Sequence, residues 1–317
     1  MQAKAYRVRN WPEYNRSLIN RGRISLWIDQ KTLAQWKNPP KHSKRGRPYD
    51  YADEVILCAL CIKNLGQFSL RFTQGFLMDL LERLGLDLKA PDYTTLCRRQ
   101  KNLDVMLPRN LNRKQDLNIV VDSTGLKVYG EGEWKTRQHG IVKKRLWRKL
   151  HVALNCDDLM IESCIITDLG TQDCQGFSKL LDAIEEPINK VIGDGAYDRF
   201  SCYEVMEDRG AFGVFPPQHN AVTSKERTAN RNKGSPGAVA KRDKVIENVR
   251  AMGRKKWKES TGYHRRSLAE TTMFRLKTIF GRNLRSRSTE SQMVEAKIRC
   301  LMLNKMTLLG MPKTITI

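Results

Sequence analysis

The residues with the clearest chemical potential lie between Tyr263 and Lys277. Read as an α-helix, this segment places Tyr263, Glu270 and Lys277, which are seven residues apart, on nearly one line. Arg266 lies four residues before Glu270 and therefore on the same side. One face then carries a carboxylate, a phenol and two cations. Taken alone, such a segment is better explained as a solvated helix face with ion pairs one turn apart.

Two further acids follow short apolar runs of strand length, and they change that balance. Asp122 comes before Ser-Thr-Gly125, and Asp194 comes directly before Gly195. Ligands of open α/β sheets bind beyond the carboxyl ends of the strands, and a glycine lets a ligand approach the backbone. An aspartate at such a position is often only a helix cap or a turn former, so each acid alone is weak evidence.

Taken together, Asp122, Asp194 and Glu270 form a candidate metal site. Three carboxylates can hold two Mg²⁺ ions roughly 3.5–4 Å apart, one activating the attacking oxygen and one the leaving oxygen of a phosphodiester. Mg²⁺ or Mn²⁺ suits these oxygen ligands, whereas no His/Cys cluster suits zinc. Arg266 and Lys277 would bind phosphates and keep the carboxylates ionised.

The charge balance indicates a polyanionic partner. The 317 residues include 57 Lys and Arg against 34 Asp and Glu, a formal net charge of +23. Nucleic acid is the first choice for so basic a chain, and a protein that is merely basic or ribosome-associated is the alternative. No run of 18 apolar residues occurs, and the first residues lack the apolar core of a signal peptide. We therefore expect no membrane span.

The cysteines are expected to be core thiols in a reducing cytoplasm. Eight are present, and most fall in apolar runs. Cys58 and Cys61 form a CxxC pair inside such a run, with no second pair to complete a zinc site. Disulfides are rare in the cytoplasm, so neither residue is predicted to be oxidised.

The first part of the chain reads as an N-terminal segment over residues 1–44 and a basic linker. A short helix is predicted from Trp11, followed by a strand over Ile24–Ile28. The linker contains Arg45-Gly-Arg47-Pro, whose extended arginines could enter a narrow A·T minor groove. A plain flexible linker explains these four residues at least as well.

Residues 45–104 are predicted to hold a helical DNA-binding module behind this linker. Helices are expected over Ala52–Asn64, Ser69–Leu84 and Pro91–Lys101, the last with an Asp or Thr cap. Three short helices ending in one rich in hydroxyl and basic residues fit a helix-turn-helix in a major groove. The alternative is a helical bundle with an ordinary basic face. The predicted DNA contacts are Thr94, Thr95, Arg98 and Arg99.

The region from residue 117 to 282 has the pattern of an α/β sheet. Three strands, a helix, a strand, a helix and a fifth strand follow one another, which is a mixed sheet plan. The stretch 218–262 reads as a loop-like basic insertion before the segment with Glu270. Residues 283–317 are predicted to form a C-terminal helix. The predicted strands are Leu117–Asp122, Lys149–Leu154, Met160–Ile166, Lys190–Asp194 and Phe212–Phe215.

These motifs resemble those of a known family. The pattern Tyr263-x2-Arg266-x3-Glu270-x6-Lys277 resembles the signature helix of DDE transposases from bacterial insertion sequences. Val121–Gly125 and Gly193–Asp198 are similar to that family's first and second acidic motifs. Stretches similar to the insertion-sequence-5 group are Tyr6–Tyr14, Pro91–Leu96, Gly130–Trp134 and Gly262–Glu270, so the resemblance covers essentially the whole chain.

The resemblance implies an RNase H-like catalytic core, a five-stranded mixed sheet with flanking helices, behind the helix-turn-helix module. It also implies cutting at the terminal inverted repeats of the element and joining of the freed 3′-hydroxyl to target DNA. Pairing of two DNA ends normally requires at least a dimer. Asp122, Asp194 and Glu270 would be the ligands of Mg²⁺ or Mn²⁺. Arg266 and Lys277 would hold phosphates.

In the same family pattern Tyr263 would position the DNA end. Water is the first nucleophile and the DNA 3′-hydroxyl the second, so no side-chain nucleophile is needed.

Two other functions remain open from the sequence. One is a catalytically silent, sequence-specific DNA-binding protein, such as a repressor or a domesticated transposase. The other is an RNase H-like nuclease that cuts without joining. The three acids argue against the first, because binding alone gains nothing from carboxylates that face phosphates. The helical module and the complete segment from Tyr263 to Lys277 argue against the second.

Overall fold

The chain divides into two compact units. The first contains Met1–Pro108, Ile279–Gly281 and Ser286–Ile317, and the second contains Arg109–Thr278 and Arg282–Arg285. The predicted C-terminal helix thus belongs to the same unit as the predicted DNA-binding module. The computed structural model describes residues 6–39, 49–110, 112–128, 147–226 and 234–316.

Helices and strands are numbered separately in chain order. The α-helices in the described residues are α1 (Trp11–Asn20), α2 (Gln30–Lys37), α3 (Asp53–Leu65), α4 (Leu70–Arg83), α5 (Tyr93–Gln100), α6 (Asp173–Asp182), α7 (Phe200–Asp208), α8 (Pro236–Met252), α9 (Arg254–Thr261), α10 (Ser267–Phe280) and α11 (Thr289–Leu308). The strands are β1 (Tyr6–Val8), β2 (Leu117–Val128), β3 (Trp147–Asn155), β4 (Ile161–Asp168), β5 (Ile188–Ile192), β6 (Phe212–Val214), β7 (Asn283–Leu284) and β8 (Thr314–Thr316).

The first unit is mainly helical, and helices α3, α4 and α5 lie within two residues of their predicted bounds. Two of them begin at side-chain caps, as the sequence predicts. Ser69 accepts a hydrogen bond from the Phe72 amide at 3.2 Å, and Asp92 accepts one from the Thr94 amide at 2.8 Å. Their use as a helix-turn-helix stays a prediction. Among the described residues no single helix could cross a bilayer, although α3 and α4 together, bent by 109°, have the necessary length and composition.

The strands of the first unit lie where the sequence does not predict them. β1 pairs antiparallel with β8, so that Arg7 faces Ile315. The predicted strand over Ile24–Ile28 is wrong, because Ile24–Leu26 forms a 3₁₀ turn. Trp27 and Ile28, which follow the turn, are both buried. Burial of two consecutive side chains does not match the alternation of a strand that is exposed on one face.

The second unit is built on one mixed sheet with the order β4-β3-β2-β5-β6, and β7 pairs with the far end of β2. β4, β3 and β2 are antiparallel, whereas β5, β6 and β7 run parallel to their neighbours. The predicted mixed α/β architecture is confirmed. The sixth strand, β7, is only two residues long and gives no periodic signal in the sequence.

Each face of this sheet is covered by helices. Ile119 and Val121 of β2 belong to a core that includes side chains of α6, α7 and α8. Val120 of β2 and Ile192 of β5 point the other way, into a core with Trp257 of α9 and Ala269 of α10. Because side chains alternate along a strand, the even-numbered positions of both strands face α10. This alternation decides which side of the sheet carries the candidate site.

The stretch 218–262 is largely helical, so the prediction of a loop-like insertion was wrong. It contains the whole of α8 and α9, joined at Gly253. α8 buries only Ala238, Arg242 and Ile246, which lie four residues apart. So narrow a stripe in a Lys- and Arg-rich segment gives little apolar periodicity for a prediction.

Candidate active site

β2 and β5 bring Asp122 and Asp194 to the same level of the sheet. The last paired residues of their parallel ladder are Val120 and Ile192, and each acid follows two positions later. Both acids therefore continue the set of side chains that face α10. The aspartates, 72 positions apart in sequence, become neighbours at the carboxyl end of β5.

The sequence predicts that Asp122 ends its strand, but in the structure Asp122 lies in the middle of β2. β2 continues to Val128 and pairs with β3 as far as Lys127 opposite Trp147. Ser123, Thr124 and Gly125 follow the end of the predicted strand, yet these residues are held in the ladder with β3. Asp122 therefore lies just beyond the last residue of β2 that pairs with β5. At this position β2 is still paired with β3 on its other edge.

The glycines near the two acids lie close to other parts of the protein, and the approach of a ligand at these positions stays a prediction. A Cβ atom on Gly125 would lie 3.3 Å from Cε3 of Trp147. One on Gly195 would lie 3.3 Å from the carbonyl oxygen of Pro216. A side chain at either position would therefore press against its neighbour.

The segment from Tyr263 to Lys277 is not one continuous α-helix. Gly262 adopts a left-handed conformation with φ +72° and ends α9, and Tyr263–Arg266 forms a 3₁₀ turn before α10 begins. A 3₁₀ turn has three residues per turn, so Tyr263 leaves the line predicted for it. Glu270 and Lys277 both lie in α10 and keep their seven-residue alignment.

Arg266 is the centre of the acidic group. Its Nη1 atom lies 3.5 Å from Oδ2 of Asp122, and its Nη2 atom donates to Oε1 of Glu270. The Arg266 and Asp122 side chains are 26% and 19% exposed, whereas that of Glu270 is 55% exposed. The guanidinium thus connects an acid of β2 with an acid of α10.

Lys277 reaches the same strand from the next turns of α10. Its Nζ atom donates to Oγ1 of Thr124 at 2.5 Å. Thr124 is two residues beyond Asp122, on the same face of β2. Burial lowers the pKa of Lys277, and the nearby Arg282 lowers it further. Lys277 is therefore a cation beside the acids but is not paired with them.

Tyr263 lies at the edge of this group, against α9. Its ring is 6.4 Å from that of Trp257, and Nζ of Lys258 lies 4.9 Å from its centroid. Burial raises the pKa of Tyr263, Arg266 opposes this, and the charges of Asp194 and Asp122 raise it further. The phenol therefore stays protonated at neutral pH and can donate a hydrogen bond to an anion.

The three acids are close enough to influence one another. Burial raises the pKa of Asp122, and repulsion from Asp194 and Glu270 adds to this effect. The Ser123 amide, which donates to Asp122 at 2.8 Å, and the charge of Arg266 act in the opposite direction. A divalent cation would relieve this repulsion, and carboxylate oxygens are the donors that Mg²⁺ prefers.

The three carboxylates are suitable ligands for such an ion, but each of these side chains contacts another group of the protein instead. Asp122 and Glu270 share Arg266, and Asp194 accepts a hydrogen bond from the Ala196 amide at 2.8 Å. Within the ranges that the structure describes, no three His, Cys, Asp or Glu side chains converge closely enough to hold an ion as they stand. Metal binding therefore requires these side chains to turn.

One residue that supports the site is missed by the sequence analysis. Arg242 of α8 forms a bidentate, buried ion pair with Asp198, with both contacts at 2.8 Å. Asp198 is the last residue of the Gly193–Asp198 motif, so this pair anchors the segment that carries Asp194. Asp198 does not cap α7, because the cap residue is Arg199. The sequence does not distinguish Arg242 from its neighbours, because it lies in a segment with many Lys and Arg residues.

The other predicted site residues belong to the first unit or lie outside the described residues. On α5, Thr94 and Arg98 are exposed, whereas Thr95 and Arg99 are half-buried. Arg99 pairs with Asp53, and its guanidinium lies 3.9 Å from the ring centroid of Tyr49. The predicted minor-groove contacts, Arg45 and Arg47, fall in the stretch 40–48, outside the described residues.

Comparison with known proteins gives a consistent family. Two family models, both described as transposase DDE domains, match residues 19–131 and 113–305. The second match alone covers more than half of the chain and includes all three acids.

Similar individual proteins are more distant or cover less. An uncharacterised protein of Aquifex aeolicus (strain VF5) is 35% identical over 101 residues, which are 32% of this chain and 27% of that protein. The match thus spans about a quarter of the curated relative's length. A cryo-EM structure of the piggyBac transposase synaptic complex with hairpin DNA aligns with a TM-score of 0.39 and 9% identity, over 91% of this chain and 73% of that chain.

Proposed function

Because this chain belongs to the DDE transposase family, we propose that it cuts and joins DNA at the ends of an insertion sequence. The observation that carries the proposal is the grouping of Asp122, Asp194 and Glu270 around Arg266, on one face of the sheet. Three acids from two strands and one helix, with cations beside them, form an arrangement suited to a phosphodiester. The proposed fold of this second unit is an RNase H-like core.

Asp122, Asp194 and Glu270 are the proposed metal ligands, in keeping with the divalent-metal dependence of the family. We expect Mg²⁺, with Mn²⁺ as a substitute, and two ions in each site. Such ions supply Lewis acidity at the attacking and leaving oxygens of the phosphodiester. The protein's own part is to hold the acids of β2, of α10 and of the segment after β5 beside one another, near the carboxyl end of β5.

The cations then bind the DNA backbone. When Arg266 turns from Asp122, its planar guanidinium can take two oxygens of one phosphate, which is the geometry arginine favours. Lys277 is held beside Thr124 and offers a point charge to a neighbouring phosphate. Tyr263, protonated at neutral pH, donates a hydrogen bond that helps to position the DNA end. Water and then the freed 3′-hydroxyl are the nucleophiles.

Recognition of the DNA ends is assigned to the first unit. Exposed Thr94 and Arg98 on α5 are the proposed base-reading contacts, with Thr95 and Arg99 behind them. Arg45 and Arg47 are the proposed minor-groove contacts. The net charge of +23 supports binding to the phosphate backbone, which should weaken steeply with salt.

Two DNA ends must be brought together, so we propose a homodimer or higher oligomer on DNA, acting in the cytoplasm on the bacterial nucleoid. The target and terminal repeats are double-stranded DNA.

An excision experiment in cells tests the proposal. A plasmid carries a marker between the two ends of the insertion sequence that encodes this chain, and the protein is supplied separately. The wild type should release the marker, whereas Glu270→Gln should not. Glu259→Gln, which neutralises an exposed acid on α9, should behave as the wild type. If the wild type binds the ends as tightly as Glu270→Gln and neither excises the marker, the protein is a DNA-binding protein without catalysis.

A further inference from the structure

One aromatic side chain near the three acids is exposed to solvent. Phe274 of α10 is 69% exposed, the highest value for any aromatic residue that the structure describes. A single exposed apolar side chain is common and by itself needs no explanation. Its position is what makes it informative, because it lies four residues after Glu270 and three before Lys277. These spacings put all three side chains on adjoining parts of one helix face.

The distance from Glu270 sets what Phe274 can reach. Four residues advance an α-helix by about 6 Å, which is close to two base steps of stacked DNA. Lys277 and Arg266 lie on the sheet side of the same face, where Lys277 contacts Thr124 and Arg266 contacts Asp122. A DNA backbone held by these two cations would therefore have bases within reach of the Phe274 ring.

We propose that Phe274 stacks on an unpaired base within two nucleotides of the phosphate at the acids. Every base has an aromatic face, so such stacking does not depend on sequence. A base inside a duplex is covered on both faces by its neighbours, and a protein ring can stack on it only after it leaves the stack. Phe274 thus favours DNA that is locally opened at the site of cutting. This inference rests on the proposed function, since it takes DNA as the ligand.

The chain provides a matched control for this residue. Phe212 is 68% exposed and lies in the same unit. It is the first residue of β6 and pairs with Lys190 of β5. Because β5 and β6 are parallel, Phe212 lies towards the start of the strands, whereas Asp194 follows their carboxyl end. Removal of the Phe212 ring takes away an equal exposed aromatic surface far from the acids.

The test is a binding measurement on the full chain with two short duplexes of arbitrary sequence. One duplex is fully paired, and the other has two mismatched base pairs at its centre, one of them containing 2-aminopurine. Affinity is measured by fluorescence anisotropy without a divalent metal, so a protein unable to cut DNA can still be scored. The variants are Phe274→Ala, Phe274→Trp and Phe212→Ala.

We expect the wild type, Phe274→Trp and Phe212→Ala to prefer the mismatched duplex. Phe274→Ala should lose roughly 5- to 150-fold of affinity for that duplex, the usual range for loss of one base–aromatic stack. The affinity of Phe274→Ala for the paired duplex should not change. When this variant binds the mismatched duplex, the 2-aminopurine fluorescence should stay at the value of the unbound duplex. No preference in the wild type, or no loss in Phe274→Ala, would overturn the proposal. Equal loss on both duplexes would also overturn it, because the contribution of Phe274 would then not depend on an unpaired base.

The excision experiment fails or succeeds separately from this one. If the wild type excises the marker and Phe274→Ala keeps its preference for the mismatched duplex, the stacking proposal is wrong and the function stands. If no protein excises the marker but the preference for the mismatched duplex depends on Phe274, the stacking proposal stands and the proposed function is wrong.

Discussion

The guanidinium of Arg266 lies 3.5 Å from the carboxylate of Asp122. The same guanidinium also pairs with Glu270, one helical turn along α10. Arg266 therefore neutralises two of the three acids that are proposed to bind metal. A divalent ion and Arg266 compete for these carboxylates, and a DNA phosphate that draws Arg266 away would favour the ion.

This competition predicts that Arg266→Gln binds Mn²⁺ more tightly than the wild type when no DNA is present. The expected gain is about tenfold, within the usual range for coupled binding. Electron paramagnetic resonance of free Mn²⁺ measures the affinity directly. Lys277→Gln is the matched control, because it removes a nearby charge that contacts Thr124 and not the acids. An equal gain in both variants would mean that only the net charge matters.

The buried pair between Arg242 and Asp198 predicts a large loss of stability when one partner is removed. The two side chains are 8% and 2% exposed, so Arg242→Met leaves Asp198 charged without its partner. Removal of one member of a buried pair costs about 3–5 kcal/mol. Urea unfolding measures the change. Arg250→Met, which breaks an exposed pair with Glu226, should change stability little.

The double variant Asp198→Leu/Arg242→Met separates charge from packing. An apolar pair of similar size is often as stable as a buried ion pair, so the double variant should recover most of the loss. Failure to recover would show that the geometry of the pair, rather than its charge, holds the segment with Asp194.

His151 predicts a loss of stability in mild acid. It is buried in β3, contacts Oγ1 of Thr167 at 2.8 Å and lies 3.7 Å from Asp173. Burial lowers its pKa below the usual value near 6.5; Asp173 opposes this and Lys149 adds to it. The unfolded chain therefore binds more protons below about pH 6.5, and stability falls as the pH drops through that value.

The measurement is the melting temperature between about pH 7.5 and pH 5. His151→Gln should show a smaller decrease than the wild type, because glutamine does not titrate. His219→Gln, at an exposed position, should keep the wild-type slope. A wild-type slope in His151→Gln would assign the acid sensitivity to other groups.

The cysteines predict selective labelling. Burial raises the pKa of Cys61 to about 12 and also raises that of Cys58, so both thiols stay protonated in the native protein. Cys97 is exposed on α5. Iodoacetamide at neutral pH should therefore modify Cys97 in the folded chain and reach Cys58 and Cys61 only after unfolding in urea. Rapid labelling of Cys61 in the native protein would contradict its burial in α3.

The sequence predicts the elements with strong periodicity and misses the others for physical reasons. Helices α3 to α5 and the strands around β2 follow clear apolar patterns. β7 and β8 are two and three residues long, too short for any period to appear. α8 buries only three of its 17 residues, and this buried stripe includes Arg242, which does not read as apolar.

Within the candidate site, the residue types are readable from sequence but their partners are not. The spacing of Glu270 and Lys277 follows from the helix alone. The placing of Asp194 beside Asp122 depends on the parallel register of β2 and β5, which only the folded sheet fixes. The pairing of Arg266 with Asp122 depends on the 3₁₀ turn at Tyr263, because that turn sets where α10 begins. Tertiary contacts of this kind leave no local pattern.

The most direct test of the account replaces a proposed metal ligand by a softer one. A labelled duplex with the end of the insertion sequence is incubated with the wild type or with Asp194→Cys, in Mg²⁺ or in Mn²⁺. Mg²⁺ prefers oxygen donors, whereas Mn²⁺ accepts a thiolate more readily. We predict that the wild type cuts with either ion and that Asp194→Cys cuts only with Mn²⁺. Cutting by Asp194→Cys in Mg²⁺ at the wild-type rate would contradict the account, because Asp194 would then hold no metal ion.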